Sequence, residues 1–162
     1  MVSFREVSAA EPAAQALLAE YFEDRALSFP AGMGKYRPAF PSADSFAAPD
    51  GVFLIAEDVD LAGEPADVGC GGVRRIAPGS LGLPRFEVKH VWLQPHLRGR
   101  GFGRLLLAEL ERRAAGLGAK EVVLDTNAAL VPAGGLYRAT GYVEIDPYNE
   151  NPNATTWFAK AL

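Results

Sequence analysis

The stretch Leu97–Leu107, LRGRGFGRLLL, restricts what this chain can fold into more than any other. Glycines at 99, 101 and 103 alternate with Arg98, Arg100, Phe102 and Arg104, and a leucine-rich run of helical spacing follows at once. The first turn of a helix leaves backbone N–H groups without intrahelical acceptors, and the aligned peptide dipoles place partial positive charge at the same end. Glycine keeps side chains from holding a ligand off those amides and permits the φ values an anion nest needs. Three arginines supply further charge, so the segment reads as a cradle for a diphosphate. A flexible glycine turn with solvated arginines is the alternative. The usual nucleotide motifs do not fit: the third glycine comes one residue too early for G-x-G-x-x-G, and no Gly-Lys-Ser/Thr completes a Walker loop.

The rest of the composition narrows the setting. At 162 residues and 49% hydrophobic, the chain suits one domain, residues 1–162, with a substantial core. A net charge of −4 argues against a general nucleic-acid binder. A lone cysteine, Cys70, forms no internal disulfide, and with two histidines it makes no metal-ligand set of familiar spacing. Cys70 in VGCGGV reads as a small buried side chain. No apolar run is long enough to cross a bilayer, and MVSFREVSAAEP lacks the apolar centre of an export signal, so the expectation is a cytoplasmic protein without a membrane partner.

Hydrophobic spacing places an amphipathic helix over Ala10–Ala26, with Leu17, Leu18, Tyr21 and Phe22 on its apolar face. The next stretch carries Pro30, Pro38, Pro41 and Pro49, yet Phe29, Met33, Tyr36, Phe40 and Phe46 make it too aromatic for a solvated spacer. It reads as a loop folded over a groove. Three extended runs, VFLIAEDV, VGCGGVRRI and FEVKHVWL, are separated by turn formers and suit an antiparallel meander. The helix after the glycines should bury Phe102, Leu105, Leu106, Leu110 and Leu117. KEVVLDTN then reads as a strand, AALVPAGGLYRAT as a helix, and GYVEI and TTWFAKAL as closing strands. A strand feeding a helix and then another strand is a parallel crossover, here inside a mostly antiparallel sheet.

The run VWLQPHLRGRGFGRLLLAELERRA resembles the acetyl-coenzyme A signature of the Gcn5-related N-acetyltransferase (GNAT) family, with Arg98, Gly101 and Gly103 in its pattern. GLYRATGYVEI is similar to that family's second segment through Tyr137, Gly141 and Tyr142. The resemblance runs from Val52 to Leu162. It implies an α+β fold: a mixed, mostly antiparallel sheet of six or seven strands, helices on both faces, and a splayed central strand pair. It also implies an acetyltransferase that uses acetyl-CoA as cosubstrate, with an amine of a small, amino-acid-like molecule or a peptide as acceptor. Paired protomers are common in the family. By resemblance Val91, Trp92 and Leu93 would bond the pantetheine arm, and an open strand edge can do so because its N–H and C=O groups are unpaired. Arg98, Gly99, Arg100, Gly101, Phe102, Gly103 and Arg104 would then hold the coenzyme's pyrophosphate.

Direct transfer needs a neutral amine, a polarised acetyl carbonyl and a proton for the departing thiolate. By resemblance Tyr137 is the proton donor; a backbone N–H of the splayed strand, such as that of Leu93, reads as the oxyanion donor. Glu87 shares a strand face with Lys89, Val91 and Leu93 if no bulge intervenes. It reads either as general base or as a surface carboxylate paired with Lys89 or a neighbouring-strand arginine. In the absence of a bulge His90 faces the other way, as a packed imidazole. Many family members carry Asn or Gln where this chain has Leu130. Asn127 either replaces that cofactor contact or caps the helix that follows. Tyr148 and Asn149 suggest an acceptor wall, and Lys35, Arg37 and Lys89 could hold an acceptor's carboxylate. A sensor that binds acyl-CoA without turning it over is the alternative function.

Overall fold

The computed structural model describes residues 1–162. Seven strands form one sheet in the order β1-β2-β3-β4-β5-β7-β6. They are β1 (Ser3–Glu6), β2 (Gly51–Val59), β3 (Pro65–Ile76), β4 (Arg85–Leu93), β5 (Glu121–Thr126), β6 (Val143–Ile145) and β7 (Thr156–Ala161). Helices α1 (Pro12–Leu27), α2 (Phe102–Gly116) and α3 (Val131–Ala139) connect them. Only β4 and β5 pair in parallel. Every other neighbouring pair is antiparallel. The expected element order is therefore present, with one addition. The sequence reading missed β1 because SFRE has no apolar alternation; its residues are half-buried or exposed along an edge.

Two cores sandwich the sheet. On one face α1 packs Leu17, Leu18 and Phe22 with Phe46, Phe53, Ile55, Cys70 and Trp92. On the other, α2 and α3 bring Leu106, Leu107, Leu110 and Tyr137 against Val73, Phe86, Val88 and Leu124. The buried stripe of α2 is centred on Leu106, Leu107, Leu110 and Ala114, so Leu105 falls off its edge and is exposed, contrary to the sequence expectation. Cys70 is fully buried, and desolvation pushes its thiol above its ordinary range, which fits a packing role.

The sheet opens in its middle. Strands β4 and β5 share only the pairs Arg85–Glu121, Phe86–Val122 and Glu87–Val123 and then diverge, so the edge of β4 facing β5 is free from Val88 onward. This is the splay the resemblance implied. At the same level the β3–β4 register slips between Cys70 and Gly72, which pair with Trp92 and Lys89. The extra residue falls at the bend around His90, whose φ is 59°, a left-handed conformation that His tolerates better than most residues.

Candidate active site

A cleft of about 1230 Å³ runs through the splay, from the start of α2 to the space beneath α1. At one end, the amides from Gly99 through Arg104 find no acceptor in the protein with hydrogen-bond geometry. They form a nest ahead of a helix of 15 residues, so partial positive charge collects where they converge. Gly99 and Gly101 take φ of 74° and 84°, which a side chain would strain, and this explains the glycine at both positions. Arg98 holds the loop: its Nε donates to the Leu93 carbonyl at 3.0 Å and its guanidinium lies 4.5 Å from the Trp92 ring centre. Arg98, Gly99, Gly101, Gly103 and Arg104 line the cleft. Arg100 and Phe102 do not; the Arg100 guanidinium lies over the Phe102 ring, 5.0 Å from its centre.

Val91, Trp92 and Leu93 line the middle of the cleft along the free edge of β4. The bulge changes which way they face. Val91 packs toward α2, while Trp92 joins the α1 core with its Nε1 donating to Glu20 at 3.4 Å. The expectation that Glu87, Lys89, Val91 and Leu93 share one face is therefore wrong: the inserted residue breaks the alternation after Lys89. His90 is likewise not opposite Glu87. Its ring turns to the α1 side, 5.8 Å from Tyr21, 5.6 Å from Phe22 and 5.8 Å from Phe46. It is a packed imidazole as expected; burial, with Lys89 and Arg74 nearby, pushes its pKa down to about 3.

Tyr137 comes from α3, 8% exposed, stacked at an angle against Tyr142 and Phe158, and it lines the cleft. Desolvation pushes its phenol up to about 12; the fields of Arg25, which lowers it, and Asp125, which raises it, both reach it. A group of that strength stays protonated across the physiological range.

Glu87 is not a surface carboxylate. It is 1% exposed and does not line the cleft. Arg74, its cross-strand neighbour on β3, donates from Nε and Nη2 to Oε1 at 3.1 and 2.9 Å. Tyr148 donates to Oε2 at 2.6 Å, and burial beside this carboxylate pushes the Tyr148 phenol far up. Lys89 stands 3.5 Å from Glu87 but is committed to Asp125, with Nζ 2.8 and 2.9 Å from its two oxygens. Asn149 also donates to Asp125, at 2.7 Å, and lines the cleft, whereas Tyr148 does not. Lys89 is thus unavailable for an acceptor's carboxylate, Lys35 sits on an exposed loop off the cleft, and Arg37 does line it.

Asn127 does not reach the cofactor space. Its Oδ1 accepts from the Ala129 amide at 3.0 Å, and its Nδ2 donates to the Asn153 carbonyl and the Met33 sulfur, both at 3.2 Å. Both ends of the amide are spent on a turn and on loop anchoring. Nor is it the cap residue, since α3 starts later, with Leu130 at its N-cap. The aromatic loop does fold over the cleft: the Phe40 ring packs tilted against that of Phe22, centres 4.7 Å apart, and Arg37 is tied to Asn153 through its amide and carbonyl.

Residues 14–142 match the model of the acetyltransferase (GNAT) family. The chain belongs to that family. As a GNAT chain it is 32% identical over 108 residues to an uncharacterized N-acetyltransferase of Schizosaccharomyces pombe, covering 66% of this chain and 61% of the relative. It is also 32% identical over 104 residues to a protein of Azospirillum brasilense named IAA acetyltransferase, covering 64% and 62%. The match thus spans about three fifths of each relative's length. A solved GNAT acetyltransferase of Staphylococcus aureus shares the fold, with a TM-score of 0.72 at 14% identity over 99% of both chains.

Proposed function

We propose that this GNAT protein is an N-acetyltransferase moving the acetyl group of acetyl-CoA directly to an amine of a small molecule or peptide. The observation that carries this reading is the run of unbonded amides from Gly99 to Arg104, continuous through the free edge of β4 with Tyr137. The amides and Arg104 take the pyrophosphate. The pantetheine amides complete the unpaired edge as an added strand would. The acetyl group then lies between β4, where the Leu93 N–H serves the developing oxyanion, and Tyr137.

The amine nitrogen attacks the thioester carbon, the N–C bond forms, the C–S bond breaks, and one amine proton ends on the coenzyme thiol. Tyr137 hands its proton to the thiolate as C–S cleavage proceeds and recovers one from the adduct's ammonium, which is far more acidic than the phenol. Glu87 lies off the cleft with both oxygens engaged, so its part is to position Arg74 and Tyr148. The acceptor enters as the free amine or sheds its proton to water.

Calorimetry with acetyl-CoA and thiol release against pooled amines and peptides test the proposal. Binding and amine-dependent release are expected; no heat on adding acetyl-CoA overturns it. The seclusion of Glu87 favours a second reading, a sensor of acyl-CoA, for which binding without any release of thiol is the expected result.

A further inference from the structure

One buried cation of the cleft has no acid to answer it. Arg25, in the last turn of α1, is 8% exposed and lines the cleft beside Tyr21, Tyr36 and Tyr137. The other cations at this end are partly exposed and committed, Arg74 to Glu87 at 2.9 Å and Lys89 to Asp125 at 2.8 Å. Asp24, beside Arg25 in sequence, faces Arg98 instead, 3.9 Å away. The Arg25 guanidinium lies 5.7 Å from the Tyr36 ring centre and makes no ion pair. An arginine near a helix C-terminus complements the dipole equally well from the surface, so the dipole does not account for its burial. Burying a charge without a counter-charge is costly; only the neutral Tyr21 and Tyr36 hydroxyls stand against this one, which leaves a socket for an anion. The guanidinium fork matches a carboxylate's two oxygens.

We propose that Arg25 anchors a carboxylate of the acceptor, with the Tyr21 and Tyr36 hydroxyls beside it, so that the acceptor is an amino acid or a similar small amine bearing a carboxylate. This rests on the acetyl-transfer reading. The site lies at the transfer end of the cleft, which Arg25 lines together with Tyr137. It is separate from the amide nest that takes the phosphates.

The test compares the amino acids with their carboxamides, both as acceptors in thiol release and as ligands raising the Tm of the CoA-saturated protein. Wild type should favour the carboxylate of its best pair about ten- to a hundredfold in kcat/KM. Arg25→Gln should bring that ratio close to one, mainly through KM. Arg25→Lys should keep part of it, and both variants should hold acetyl-CoA with wild-type affinity. A wild-type ratio near one, or a ratio unchanged in Arg25→Gln, overturns the proposal. If no amine releases thiol but carboxylates still raise the Tm in an Arg25-dependent way, the transferase reading fails and the anion site stands. If carboxylates neither react nor stabilise, the anion site fails, whatever becomes of the transferase reading. Should Arg25→Gln not fold, Arg25→Lys and the wild-type ratio decide.

Discussion

The two ends of the cleft are built by different means. The end proposed for the phosphates is main chain, consecutive in sequence, and what it offers is the amides left unbonded between Gly99 and Arg104. The transfer end is side chain, assembled from α1, the aromatic loop, β3, β4, β5 and the Tyr148–Asn149 loop, through ion pairs that span up to 36 residues and a hydrogen bond that spans 61. A backbone site tolerates exchange of most side chains around it but not a change of its glycines. A side-chain site can be respecified one residue at a time.

The sharpest way to break that contrast is Tyr137→Phe. Loss of general-acid assistance should lower thiol release about 10²- to 10⁴-fold, while calorimetric affinity for acetyl-CoA changes less than twofold. If affinity falls together with rate, the ends are not separable. Gly101→Val should do the reverse, weakening acetyl-CoA binding roughly tenfold or more and costing about 1–3 kcal/mol of stability, because a β-branched residue is forced to a φ of 84°. Chemical denaturation and calorimetry read the two effects. Glu87→Gln should cost about 1–3 kcal/mol by leaving the partly exposed Arg74 without its counter-charge, visible as a Tm lower by roughly 2–12 °C, with acetyl-CoA affinity retained. A large fall in kcat with no change in Tm would instead restore Glu87 to the chemistry.

The smallest effect is a pH slope. His90 is held neutral down to about 3 against an ordinary value of 6.5, so the unfolded chain binds a proton that the folded one refuses. Stability from this group is complete above pH 6.5 and is lost as pH falls toward 3. Between pH 6.5 and 5 the loss is about 2 kcal/mol. His90→Asn keeps a residue tolerant of the left-handed backbone and should flatten the Tm profile in that interval. Equal slopes in both proteins would mean that the imidazole is not desolvated.

The legibility of each end follows from its construction. The amide nest proposed for the phosphates was readable as a structure because it is local: glycines at alternate positions, arginines and a helix start stand side by side in sequence. The element order was readable from periodicity, except for β1, whose four residues take their order from pairing with β2. The bulge at His90 was not readable, since a single inserted residue leaves no compositional mark, and it reversed the facing of Val91, Leu93 and His90. The placement of Asn127 was not readable because its Nδ2 is taken by Met33, 94 positions earlier, and by Asn153, 26 positions later. Arg25 had a signal that went unused: it lies three residues after Phe22, four after Tyr21 and seven after Leu18, on the apolar face of α1, where a charge is out of place.

The three residue pairs that hold β4 to β5 make a thin seam between the two halves of the sheet. A cosubstrate laid along the free edge, as proposed, would add rungs to that seam and become a piece of the scaffold as well as a reactant. The durability of this protein should therefore track how much of the cosubstrate surrounds it, through simple mass action. Starved of it, the molecule would be expected to part first along this line, with amides of β4 beyond Glu87 exchanging ahead of those in β2 and β3.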